Sequence, residues 1–126
     1  MKKKIEKGFK KEIKNIIFNI IFCSSVLGSV VLFYKNILLT TIILAILSII
    51  ALIKWKSYRT LLIFIIGGIW GPLSEIIAIK MGVWAYSESS ILNIPLWLIL
   101  VWGDAAAFLY QTARELKKIG VKDKLK

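Results

Sequence analysis

The sequence predicts an all-α integral membrane protein: a four-transmembrane-helix bundle with both termini on the cytoplasmic side. Three observations carry that expectation. The chain bears a formal net charge of +11, yet long stretches of it hold hardly a charged residue. The charges gather at the ends, with seven lysines in the first 14 residues and six Lys/Arg between Arg114 and Lys126. The 126 residues are 58% hydrophobic with a mean hydropathy of +0.76, which marks lipid as the solvent of the central segments.

A spanning helix needs about 20 mostly apolar residues to cross a hydrocarbon core about 30 Å thick. Four segments meet that need, at about 15–34, 37–53, 61–79 and 94–110. The first two are separate, because one helix from Asn15 to Ile53 would be nearly twice the membrane thickness at ~1.5 Å per residue. Tyr34-Lys35-Asn36 is the turn between them. Residues 1–14 form a basic cytoplasmic segment in which Ile5, Phe9 and Ile13 recur at helical spacing, the pattern of an amphipathic surface helix. A cleaved signal peptide is the competing reading of this end, and Cys23-Ser24-Ser25 would tolerate cleavage. The apolar run continues to Tyr34, however, which favours an uncleaved span. Residues 112–126 read as a basic cytoplasmic tail.

Orientation follows from the distribution of cations. The N-terminal segment, the 54–60 loop and the C-terminal tail carry seven, three and six Lys/Arg, against Lys35 and Lys80 on the other side. Cytoplasmic termini and a place in the cell membrane follow. The same clusters are expected to attract anionic lipid headgroups, by about 1 kcal/mol per residue near the surface. Nucleic acid is not expected as a partner, since the charged termini are too short to build a reading element.

Several chemistries are excluded or unsupported. The chain has no histidine, which removes histidine triads and zinc-protease sites. Its single cysteine, Cys23, cannot form an intrachain disulfide and reads as a packed thiol. Nothing in the sequence points to a metal or a cofactor.

Two acids fall inside predicted spans and are the candidate catalytic residues, Glu75 and Asp104. An aspartate at the centre of a spanning helix costs about 2.5–3.5 kcal/mol on insertion scales, so such residues are rare and usually functional. Glu75 lies about four residues, or ~6 Å, from the outer end of its span, and Asp104 lies ~14 Å below the outer boundary. Lys80 is a possible interfacial partner for Glu75, whereas Asp104 has no cation at its depth. A carboxyl in hydrocarbon favours its neutral form, which can donate a hydrogen bond or a proton. Gly67, Gly68 and Gly71 precede Glu75 and suit close helix approach, and Pro72 disturbs the helix one turn before the acid. On the fourth span Trp97, Val101, Asp104, Phe108 and Gln111 share a stripe expected to face the interior. Trp70, Trp84, Tyr86, Trp97 and Trp102 are the candidate substrate-binding aromatics; Trp84, Tyr86 and Trp97 also suit an interfacial belt, as does Trp55 at the inner boundary. The plain packing alternative has the acids hydrogen-bonded to hydroxyls such as Ser24, Ser25, Ser29, Thr40, Thr41 or Ser48.

Over the C-terminal third, Glu75, Gly82, Trp84, Tyr86, Pro95, Trp97 and Trp102 form a pattern that resembles part of the membrane-embedded carotenoid-biosynthesis proteins, including carotenoid hydratases and lycopene cyclase domains. The resemblance implies a helical bundle acting on a polyisoprenoid double bond, with Glu75, Trp84 and Tyr86 as candidate site residues. An acid would protonate the alkene, and tryptophan faces would stabilise the cation.

Function is therefore expected to centre on a buried-acid pocket for a lipid or isoprenoid substrate, with catalysis itself left open. Two alternatives stand beside it. One is a non-catalytic assembly partner that presents its glycine face to another membrane protein. The other is a small proton-coupled transporter acting as a homo-oligomer, similar to small multidrug-resistance exporters, although those carry their glutamate on the first helix.

Overall fold

A computed structural model describes residues 2–125, without the side chains of Lys4 and Ile5. Met1, Lys126 and the place of Ile5 in the amphipathic pattern lie outside the described residues. The described chain is all-helical: α1 (Lys2–Phe33), α2 (Ile37–Trp55), α3 (Tyr58–Lys80) and α4 (Leu98–Lys118). Three of them, α1 to α3, are long and apolar enough to cross a membrane.

The basic segment and the first apolar run form one unbroken helix, so the lysines occupy the first four turns of α1. At 32 residues α1 extends for ~48 Å, well beyond a hydrocarbon core. It ends at the turn of Tyr34, Lys35 and Asn36, and the Asn36 side chain accepts from the Leu39 amide, capping α2. Lys56, in the left-handed conformation at φ 49°, closes α2. Ser57 then caps α3 by accepting from the Thr60 amide.

The central helix is α4, which is less apolar than α2 and α3. α4 packs against each of the other three and most extensively against α3, while α1 and α3 do not touch. Thr60 meets Gln111 at one end of the α3–α4 pair, and Gly71 meets Trp102 at the other, so the two helices run antiparallel side by side. Glycines set their spacing. A Cβ on Gly67 would stand 2.9 Å from the Trp102 carbonyl oxygen, and one on Gly103 would stand 2.9 Å from the Phe64 ring. The glycine face of α3 is thus filled by α4 of the same chain.

Interior and exterior are inverted relative to a soluble bundle. The buried residues of α4 include Asp104, Gln111 and Glu115 at helical spacing, joined by Asn19 of α1, Ser48 of α2 and Thr60 of α3. The outward faces carry exposed Ile20, Leu27, Leu38, Ile46, Ile53, Leu62, Ile66 and Ile69. A bilayer solvates such a surface, and the polar groups inside satisfy one another.

The α3–α4 connection, residues 81–97, folds back over the bundle. Gly82 turns it at φ +81°, a value that favours glycine. Ile94, Pro95 and Trp97 are buried at its far end, and α4 begins only after them, at Leu98.

Candidate functional site

The two acids occupy different sites on opposite flanks of α4. Glu75 is met by Trp102 and Asp104 by Ser48 of α2. Trp102 and Asp104 are two residues apart on one helix, which turns them about 200° from each other.

At the first site the chain builds an aromatic clamp on Glu75. Gly71 supplies a seat: a Cβ there would lie 2.1 Å from the Trp102 ring, so the indole lies flush on the α3 backbone. From that seat the Trp102 Nε1–H reaches Glu75 Oε2, one helical turn beyond Gly71. The Tyr86 hydroxyl of the α3–α4 connection donates to the other oxygen, Oε1. Trp97 then packs edge-on against the Tyr86 ring, with centroids 6.1 Å apart at 87°. Both carboxyl oxygens of Glu75 therefore have a donor, and the acid ties the loop to α3 and α4. Burial, and then the hydrogen bond to Glu75, push the Tyr86 phenol well above its usual value of 10.0. Lys80 makes no ion pair with Glu75 among the described residues.

At the second site, Asp104 is 3% exposed. Ser48 Oγ stands 2.6 Å from Asp104 Oδ1 and 2.8 Å from the Leu44 carbonyl oxygen. A serine hydroxyl has one proton to give. The Ser48 hydroxyl donates to Oδ1 of Asp104, and the Leu44 carbonyl is its alternative acceptor. Oδ2 of Asp104 has no hydrogen-bond partner among the described residues. A cavity of about 210 Å³ lies between α1 and α4, walled by carbon surface of Phe22, Cys23, Val26, Val30, Val101 and Asp104. The Asp104 carboxyl lies behind that wall.

A third polar cluster lies toward the end of the bundle where α2 turns into α3. Asn19 donates to Thr112 at 3.2 Å and accepts from the Trp55 indole at 2.9 Å. Gln111 accepts from Thr60 at 2.8 Å and donates to Glu115 at 3.2 Å, and Asn15 approaches Glu115 at 3.5 Å. Glu115, expected in a cytoplasmic tail, is 2% exposed. The signal for it was present in the sequence: the spacing of Asp104, Gln111 and Glu115 extends the buried stripe past Tyr110 by one more turn.

Of the candidate residues, Glu75, Tyr86, Trp97 and Trp102 come together, and Asp104 stands apart. Trp70 and Trp84 join neither group, being 71% and 48% exposed. Trp55, read as an interfacial anchor, instead turns inward: its ring packs edge-on against Phe18 and Phe22, and its N–H is taken by Asn19. The buried Asn19 offers that N–H a partner that a lipid face lacks. Among the hydroxyls weighed as partners for the acids, Ser48 meets one, whereas Ser25, Ser29 and Thr41 bond to backbone carbonyls of their own helices.

Comparison with protein-family models, with curated proteins and with solved structures found no match to this chain.

Proposed function

We propose that this protein is a four-span cell-membrane protein that holds a lipid or isoprenoid chain in the cavity between α1 and α4, with Asp104 presenting a neutral carboxyl to the bound molecule. The observation that carries this reading is a hydrocarbon-walled cavity with Asp104, whose Oδ2 has no hydrogen-bond partner among the described residues, behind its wall. Such a cavity takes an apolar chain, and a neutral acid at its wall donates a hydrogen bond or a proton to an oxygen or a double bond. The arrangement suits the isoprenoid chemistry implied by the resemblance of the C-terminal third, with Asp104 in place of Glu75 as the proton-bearing group. Glu75, with both oxygens engaged, acts here as the anchor of the outer loop.

In this reading α4 also crosses the membrane. Its 21 residues extend for ~31 Å and lie alongside α3, with polar groups turned to the interior. The excess of Lys/Arg at both ends and in the α2–α3 turn places the termini in the cytoplasm. The assembly-partner alternative rested on a free glycine face, and that face is filled by α4.

The test is mass spectrometry of lipid that co-purifies with the wild-type protein and with Asp104→Asn. A polyisoprenoid or other single lipid class retained by the wild type and lost from the variant supports the reading. The same bulk phospholipid in both overturns it.

A further inference from the structure

We infer that the cleft between the first turns of α1 and the end of α2 is a headgroup site for a lipid bearing a diphosphate, whose tail runs along α1 toward the Asp104 cavity. This inference rests on the reading of that cavity as the tail site.

Lys7, Lys10, Lys11 and Lys14 recur at i, i+3, i+4 and i+7, which places four ammonium groups on one face of α1. Lys54, from the last turn of α2, joins them, and the five lysines with Asn15 line one cleft of about 640 Å³. No acid lines it. Glu12, on the same helix, turns instead toward Lys118 of α4 at 4.0 Å. Like charges three and four residues apart on a helix are mutually destabilising, so the cluster calls for a polyanion. The other basic cleft, lined by Arg59, Arg114, Lys117 and Lys118, includes Asp123 and is partly neutralised from within.

Contacts connect this cleft to the hydrocarbon interior. The Lys54 ammonium sits over the Phe18 ring, 4.8 Å from its centroid. Phe18 and Phe22 both pack against Trp55, and Phe22 is part of the wall of the Asp104 cavity. From Lys14 to Phe22 is eight residues of helix, about 12 Å, a distance that a short prenyl chain spans. The cleft itself extends from Lys14, at the start of the apolar run, outward to Lys7, about 10 Å along α1. That matches the headgroup layer rather than the hydrocarbon. Cations over that depth suit a head with more than one phosphate, and the aromatic path behind them suits an unsaturated tail.

The experiment is calorimetric titration of the full chain in neutral detergent micelles with farnesyl diphosphate, farnesol and inorganic diphosphate. Saturable binding of farnesyl diphosphate at one per chain is expected, weakened about tenfold or more in Lys10→Gln/Lys14→Gln/Lys54→Gln. The control Arg59→Gln/Arg114→Gln/Lys117→Gln removes the same charge from the other basic cleft, leaves the Glu12–Lys118 contact in place and is expected to bind as the wild type does. An equal loss in both triple variants would reduce the effect to diffuse surface charge and overturn the inference. So would inorganic diphosphate binding as tightly as the lipid, which would make the cleft a site for a free anion. Farnesol keeps the two readings apart: Asp104→Asn weakens it if the cavity holds the tail, and the lysine variant leaves it unchanged.

Discussion

Ser48 of α2 and Asp104 of α4 meet 2.6 Å apart inside the bundle, and Ser48 also lies 2.8 Å from the Leu44 carbonyl of its own helix. The Ser48 hydroxyl has both acceptors within reach, and its contact with Asp104 joins α2 to α4 at the depth of the cavity. A double-mutant cycle with Ser48→Ala and Asp104→Asn measures its worth. Interhelical hydrogen bonds in membranes average about 0.6 kcal/mol and reach about 1.7 kcal/mol, and a coupling within that range is expected from unfolding in mixed micelles. Zero coupling would mean that the two side chains do not interact.

Gly71→Ala should unseat Trp102. Its new Cβ would fall 2.1 Å from the indole, so the ring must leave the α3 backbone and its hydrogen bond to Glu75. Overpacking of this kind costs about 1–3 kcal/mol. Gly28→Ala, with nothing within 4 Å of the added atom, is the control and should stabilise by about 0.5–1 kcal/mol, the helix-interior penalty of glycine. Near-ultraviolet circular dichroism should register the displaced indole in the first variant and not in the second.

Tyr86 gives the α3–α4 connection a pH signature. Its phenol is raised above 10.0, first by burial and then by the Glu75 hydrogen bond, so the folded state holds this proton more tightly than the unfolded chain does. Its contribution to stability is complete below about pH 10 and is lost as the pH rises above that value. Tyr86→Phe should flatten the fall of stability with pH in that range. It should also leave the phenolate absorbance near pH 10 unchanged, because Tyr86 is not yet ionised there. A drop in that absorbance would show an ordinary, solvent-accessible tyrosine.

Asn19→Leu should be costly although it adds apolar surface. It strands the Trp55 N–H and the Thr112 hydroxyl inside the bundle, and each unsatisfied group costs about 1–3 kcal/mol. Trp70→Phe removes an indole that is 71% exposed and should leave stability unchanged. Equilibrium unfolding of the two variants side by side checks the contrast.

The apolar helices were legible because each depends on local composition. An uninterrupted apolar stretch must satisfy its backbone internally in lipid, and a helix does so without help from neighbours. The turn residues Asn36 and Ser57 act the same way, through side chains that reach the next few amides. The candidate site was legible in part: Glu75, Tyr86 and Trp102 could be listed from the sequence, but their meeting could not.

Facing was the property that the linear chain withheld. In water, polarity distinguishes the outside of a helix from its inside; in lipid both sides of α2 and α3 are apolar, so nothing local says that Trp55 turns inward and Trp70 outward. The sequence by itself determined that this chain is helical, membrane-seeking and basic at its ends, because those properties are sums over neighbouring residues. Only the tertiary structure decided that α4 lies at the centre, that Glu75 is clamped while Asp104 keeps an oxygen free, and that Glu115 is buried. Each of those outcomes depends on partners from 11 to 100 residues away in sequence, brought together when the glycines of α3 let α4 approach its backbone.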